Sequence, residues 1–258
     1  MHAPGTRPPH GAHLSSPRRN NYFYGKLLDV YHFELETNYF NSKRWLLNRL
    51  VSGFGVVCGL NVECGPGRDE IVITPGVAID RWGREIIVPE RTQPLRIPPD
   101  LLPPAPRPES EGCAAEDRGV HVVLCYHECE TDPAPVLTSD CGGPCAPGAI
   151  RERYCIDFRP KCLPRPMLEC RFVDLITDGQ LDRRALVKHI SEDCPAPKDD
   201  PCIPLANIRL RPGQADEPAC CAEDIDITVR PIVYSNDILF DLLLSLLIES
   251  PKPRGGKL

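Results

Sequence analysis

The chain has 258 residues, thirty of them basic and thirty-six acidic, for a formal charge of −6. That balance excludes a broad nucleic-acid-binding surface, which needs an excess of Lys and Arg to displace counterions from phosphates; the pair Arg18-Arg19 is too small to reverse it. The length suffices for one large or two small domains with a substantial core, while proline, at thirty residues, exceeds twice its usual share of about 5 % and implies extended connections.

Residues 1–20 are a Pro/His/Gly/Ser/Arg mixture with the composition of a flexible arm and no apolar h-region. Synthesis in the cytosol without a signal peptide is therefore expected. No segment reaches the roughly 18 apolar residues of a membrane span. Asp29 is placed to cap a helix, because its short carboxylate can accept from the free N–H groups of a first turn. Behind it Phe33, Tyr39, Phe40, Leu46, Leu47 and Leu50 recur at helical spacing, while Glu34, Glu36, Asn41, Lys43, Arg44 and Asn48 fall mostly on other faces. The pattern predicts a one-sided surface helix of about five turns, ended by Gly53 and Gly55. Short β-branched segments follow at 56–62, 70–73, 77–80 and 85–88, separated by Gly65-Pro66-Gly67, Pro75-Gly76 and Gly83. That rhythm predicts a strand meander.

The proline-rich stretch 98–112 reads as an extended linker. A strand is expected at 120–127, with Val122, Leu124 and Tyr126 on one face, then a loop carrying Cys129, Cys141 and Cys145, then a strand at 150–158 carrying Cys155. After a proline-rich turn and a segment at 168–176, a helix is expected at 178–193, with Leu181, Leu186, Val187 and Ile190 on its apolar side. Strands at 202–210 and 225–233 and a helix at 236–248 complete the order. The expected division is an arm at 1–20, a helix plus β-meander at 21–98, a Pro-rich linker at 99–118, a Cys-rich α+β region at 119–250 and a tail at 251–258. The fold class is α+β: an N-terminal amphipathic helix, a β-rich body of meander or sandwich type, and a short apolar C-terminal helix. In that last helix only Asp241 and Ser245 interrupt the apolar run from Ile238. It is too short to span a bilayer, so it needs cover from its own domain, the favoured expectation, or from another subunit.

Fourteen cysteines are the strongest chemical signal. In a reducing cytosol such density favours metal sites or buried thiols, and in an exported particle it favours disulfides. Two groups offer the four soft ligands of structural zinc: Cys129, Cys141 and Cys145 with Cys155 or His127, and Cys194, Cys202, Cys220 and Cys221. Neither has the Cys-x-x-Cys pairs of a ribbon or finger. Zinc, disulfides and free thiols all stay open.

No string for a nucleophile elbow, a phosphate loop or a zinc protease occurs, and no catalytic or cofactor-binding residue is assigned. The run of glycines at 53, 55 and 59 follows a helix and opens a strand, the reverse of a dinucleotide loop, so it reads as a turn. His121 and His127, alternating with Cys125, read as ordinary strand side chains. Asp69, Asp80 and Glu85 could pose as paired carboxylates for glycoside cleavage, but beside turns they read as solvated or bonded to turn amides.

The strings YFYGKLL at 22–28, GFGVVCGL at 53–60, PGVAID at 75–80 and GREIIVP at 83–89 together resemble a family of uncharacterised bacterial proteins encoded among the genes of phage tails and phage-tail-like contractile injection systems. The resemblance is close over the first third of the chain. It is looser in the cysteine-rich middle and in PIVYSNDILFDLLLSL at 231–246. In that pattern two adjacent cysteines often precede Gly-Arg-Glu-Ile; Arg81 and Trp82 stand there in this chain, so any metal or disulfide role of the pair is absent.

The resemblance implies a structural, non-catalytic subunit whose partners are sheath, tube, baseplate or fibre proteins and further copies of itself. Its implied place is the baseplate periphery or fibre attachment first, and a cap or anchoring adaptor second, in a particle released from the cell or anchored at its envelope. Tyr22, Phe23, Tyr24 and Lys26, with Phe33 on the first helix and Phe240 and Leu244 on the last, would form the interfaces. A free-standing zinc- or disulfide-stabilised binding module is the alternative, and a glycan-degrading enzyme a weaker one.

Overall fold

The computed structural model describes residues 14–102, 119–136, 145–166, 176–177, 180–211 and 222–249. Helix α1 (Val30–Leu47) begins as expected at Asp29, whose side chain accepts from His32 N at 3.2 Å while the His32 ring reaches back to the cap. This reciprocal box satisfies two donors that the first turn leaves open. The helix widens into a single π-helical turn at Asn48–Ser52 and stops at Gly53, where φ is +81°.

Two small antiparallel sheets then form from the predicted meander. One has the order β1 (Gly55–Gly59), β4 (Gly76–Ile79), β5 (Glu85–Val88); the other has the order β2 (Val62–Cys64), β3 (Glu70–Ile73), β6 (Leu95–Arg96). The single strand expected at 56–62 is thus two, broken at Leu60, which takes a φ of +55°. Gly59 permits the corner, because a Cβ there would lie 2.0 Å from the Pro75 carbonyl oxygen.

The third sheet has the order β12 (Ile225–Asp226), β11 (Ile203–Arg209), β7 (Gly119–Pro135), β8 (Cys145–Pro160). Six of the seven residues of β11 are buried, as a central strand covered on both faces requires. β7 and β8 are far longer than expected: they pair without a register shift from Val120 opposite Pro160 to Pro135 opposite Cys145, so Cys129 and Cys145 lie in strands and not in a loop.

A short hairpin, β9 (Ile176–Thr177) with β10 (Gln180–Leu181), precedes helix α2 (Arg183–Ile190). Asp182 caps α2 by accepting from Arg184 N and Ala185 N, so the helix is shorter than the 178–193 expected. The strand expected at 225–233 is also cut short. Asp226 accepts from the Thr228 amide and hydroxyl and turns the chain at Ile227–Val229, and Pro231 has no N–H for a ladder. Helix α3 (Asn236–Glu249) is the last described element.

One apolar core joins both regions. Val56, Leu60, Val62, Ile71, Ile73, Ala78, Ile86 and Val88 from the first pack in the same cluster as Val122, Leu124, Ile203, Leu205 and Ile208 from the second. No helix among the described residues is long and apolar enough to cross a membrane.

Candidate interaction surfaces and the cysteine positions

α1 is tied at both ends by hydrogen bonds and exposes one side along its length. At the C-terminal end Asn48 donates to Gly83 O and Glu85 Oε1 at 2.9 and 2.8 Å, and Arg44 pairs with Glu85 at 3.2 Å. Arg49 donates to Pro195 O. At the other end buried Asn20 donates to His32 O, tying residues expected in a flexible arm to the helix; residues 1–13 lie outside the described residues. Between these ties no α1 residue is buried. The expected apolar face is split: Tyr39 and Leu46 are half-buried with Leu35 and Trp45, while Phe33 and Phe40 are each 61 % exposed and Leu47 is also exposed. Val30, Phe33, Thr37, Phe40, Arg44 and Leu47 follow alternating steps of three and four, all on the outside. That is the spacing of a seam that accepts another helix.

Tyr22, Phe23 and Tyr24 project into solvent beside this helix. Lys26 holds the loop: Nζ donates to Asn21 O at 3.1 Å and lies 5.6 Å from the Tyr22 ring centroid. α3 departs from the favoured expectation of burial. Leu239, Phe240, Leu242, Leu243 and Leu244 are all exposed, so its own domain does not cover it among the described residues.

The three carboxylates that could have posed as a catalytic set are occupied by structure. Asp80 is fully buried; its Oδ1 accepts from the turn amides of Trp82 and Arg84, and its Oδ2 pairs with Arg84 at 2.7 Å. Burial pushes its carboxyl up against the pull of Arg84 and those amides. Asp69 pairs with Arg96, and Glu85 with Arg44 and Asn48. Trp82 is 2 % exposed, donates from its indole to Lys198 O and stacks under Arg84. A cleft of about 250 Å³ lined by Asn61, Val62, Glu63, Cys64, Ile225 and Ile227 holds a single carboxylate among the described residues, and Glu63 is paired with Arg91 at 2.7 Å.

The cysteines fall into positions that spacing could not show. Cys125 of β7 is disulfide-bonded to Cys202, 77 residues away, at the start of β11. Cys202 is therefore not a thiolate ligand for the second candidate set; Cys194 is exposed, and Cys220 and Cys221 lie outside the described residues.

In the first set, Cys155 faces Cys125, Cys129 faces Arg151, and Cys145 faces Pro135. At about 3.4 Å per residue, Cys155 and Cys129 stand about 14 Å apart along the ribbon and Cys145 about 20 Å farther out. Ligands on one zinc must each approach to about 2.3 Å, so these three do not fit a common ion; Cys141 lies outside the described residues. His127 faces Arg153 on the same side of the ribbon as Cys129. Among the described residues no three His, Cys, Asp or Glu side chains are grouped as a metal ion requires.

The disulfide has a charged neighbour. Asp200 accepts from Cys202 N at 3.1 Å and pairs with Arg159. Partial burial raises the Asp200 carboxyl, but the Arg159 hydrogen bond, the Cys202 amide and the nearby guanidinium charges outweigh it and hold the group below its ordinary value.

No family model and no curated protein matches the chain. Among solved structures, the crystal structure of TssK aligns with 56 % of this chain and 33 % of its own, at a TM-score of 0.28 and 14 % identity. The chain thus spans about a third of that structure's length, and a likeness of this depth carries no weight for fold or function.

Proposed function

We propose that the chain is a structural, non-catalytic subunit of a phage-tail-like contractile injection particle, working at the baseplate periphery, at a fibre attachment point, or as a cap or anchoring adaptor. The four strings of its first third support the particle. The observation that carries a docking role is the exposed seam of α1, with Phe33, Phe40 and Leu47 turned outward from the half-buried side of the helix. An isolated monomer gains nothing from this arrangement, since side chains of that size normally bury 1.5–3 kcal/mol each, in rough terms. α3, with five exposed apolar residues, adds a second such surface.

The test is a pulldown of the full chain against the sheath, tube and baseplate proteins of the same gene cluster. Wild type retains at least one of them, and Phe33→Asp with Phe40→Asp loses it while keeping the unfolding midpoint, because both residues are exposed. Equal retention by wild type and variant contradicts the docking role of the seam.

A disulfide-stabilised, free-standing binding module is the second reading, favoured by the Cys125–Cys202 bridge. It predicts a stable monomer that captures none of the tail proteins.

A further inference from the structure

Beyond the body, β7 and β8 continue as a two-stranded arm. β11 accompanies β7 only over Gly119 to Leu124, so from the rung Tyr126–Tyr154 to the rung Pro135–Cys145 the ribbon has no third strand among the described residues. Nine steps at about 3.4 Å make it about 30 Å long. The register is continuous between rungs 127/153 and 131/149, so odd-numbered residues of both strands share one face and even-numbered residues share the other.

The two faces carry opposite charge. The odd face holds Arg151 and Arg153 with His127, Cys129, Thr131 and Ala149, and no carboxylate. The even face holds Glu128, Glu130 and Glu152 with Ile150, and no cation. All five charged residues are exposed, and none is in an ion pair among the described residues. Ile150 is 66 % exposed between the glutamates, and the Tyr126 hydroxyl donates to Glu128 Oε1 at 2.7 Å, fixing that carboxylate at the root of the arm.

We propose that this arm is a contact between copies of this chain, in which the acidic face of one ribbon lies on the basic face of the next. The occupant follows from complementarity: the three glutamates and two arginines sit back to back on neighbouring rungs, so each face matches the other in height and is opposite to it in sign. A two-fold contact would set glutamate on glutamate or arginine on arginine. The contact is therefore head-to-tail, and repeated it builds a ring or stack. An unrelated acidic or basic partner would engage only one face. The proposal does not depend on which particle, if any, the assembly belongs to.

A charge swap in the full-length protein tests it by sedimentation velocity. Wild type associates at tens of micromolar, and its association constant falls at least tenfold as salt rises from about 50 to about 500 mM. The Glu128→Lys/Glu130→Lys/Glu152→Lys variant and the Arg151→Glu/Arg153→Glu variant are each monomeric, with native circular dichroism. Mixed one to one, they associate again. A monomeric wild type overturns the proposal, as does an oligomer of unchanged mass in both variants. Loss of association without rescue on mixing also overturns it and assigns the affected face to a different protein.

Discussion

Gly83 is where the first helix is fixed to the meander, and its backbone leaves room for no other residue. Its φ is +91°, and a Cβ would lie 2.0 Å from the Trp45 carbonyl oxygen. Gly83→Ala is expected to cost about 2 kcal/mol or more, from left-handed strain and displacement of the helix end, read as a lower urea midpoint; an unchanged midpoint refutes the contact. Asp200 gives a pH dependence of known sign. Its native carboxyl titrates below the ordinary 3.8, so between the two values the unfolded chain binds more protons than the native one. Its contribution is full above about pH 4 and is lost as pH falls through the native value. Wild type should lose more stability than Asp200→Asn between about pH 5 and about pH 2, and parallel curves contradict the pairing.

The disulfide has its own prediction. Removing a bridge of this kind costs about 2–4 kcal/mol, so Cys202→Ser should unfold at lower urea under oxidising conditions. Cys125 would then face Cys155 across the ladder, and peptide mapping after oxidation should find that pair joined. It should form slowly at neutral pH, because burial and then the charge of Asp157 keep the Cys155 thiol protonated. Cys125 remaining a free thiol would show that the two side chains do not meet.

At the scale of elements, what could be read from the sequence follows from where the physics is local. The Asp29 cap, the stop at Gly53 and the strands at 70–73 and 85–88 are set by neighbouring residues, and they appear where expected. The outer part of the arm is not legible because 128–135 and 145–149 are rich in Glu, Pro and Ala with no apolar period, so only 120–127 and 150–158 read as strands. The Cys125–Cys202 pair was hidden for the opposite reason, since it depends on the register of β11 against β7 across a long separation. The apolar pattern of α1 located a helix but not its inner side, because the half-buried row includes His32, Glu36 and Ser42, while Phe33 and Phe40 point out.

Across the whole molecule, a single core packs the meander and the cysteine-rich region together, and the surfaces that stand off it are α1, α3 and the β7/β8 arm. That division puts rigidity at the centre and apolar or charged contacts at the edges, as a subunit of a larger assembly needs. The proposed place in a contractile particle is tested most directly by quantitative mass spectrometry of such particles purified from cells that express this chain. The chain should co-purify with sheath and tube proteins in a fixed ratio, and the Phe33→Asp/Phe40→Asp variant should be missing from otherwise assembled particles. Particles that form without the wild-type chain at any constant ratio would contradict a structural role.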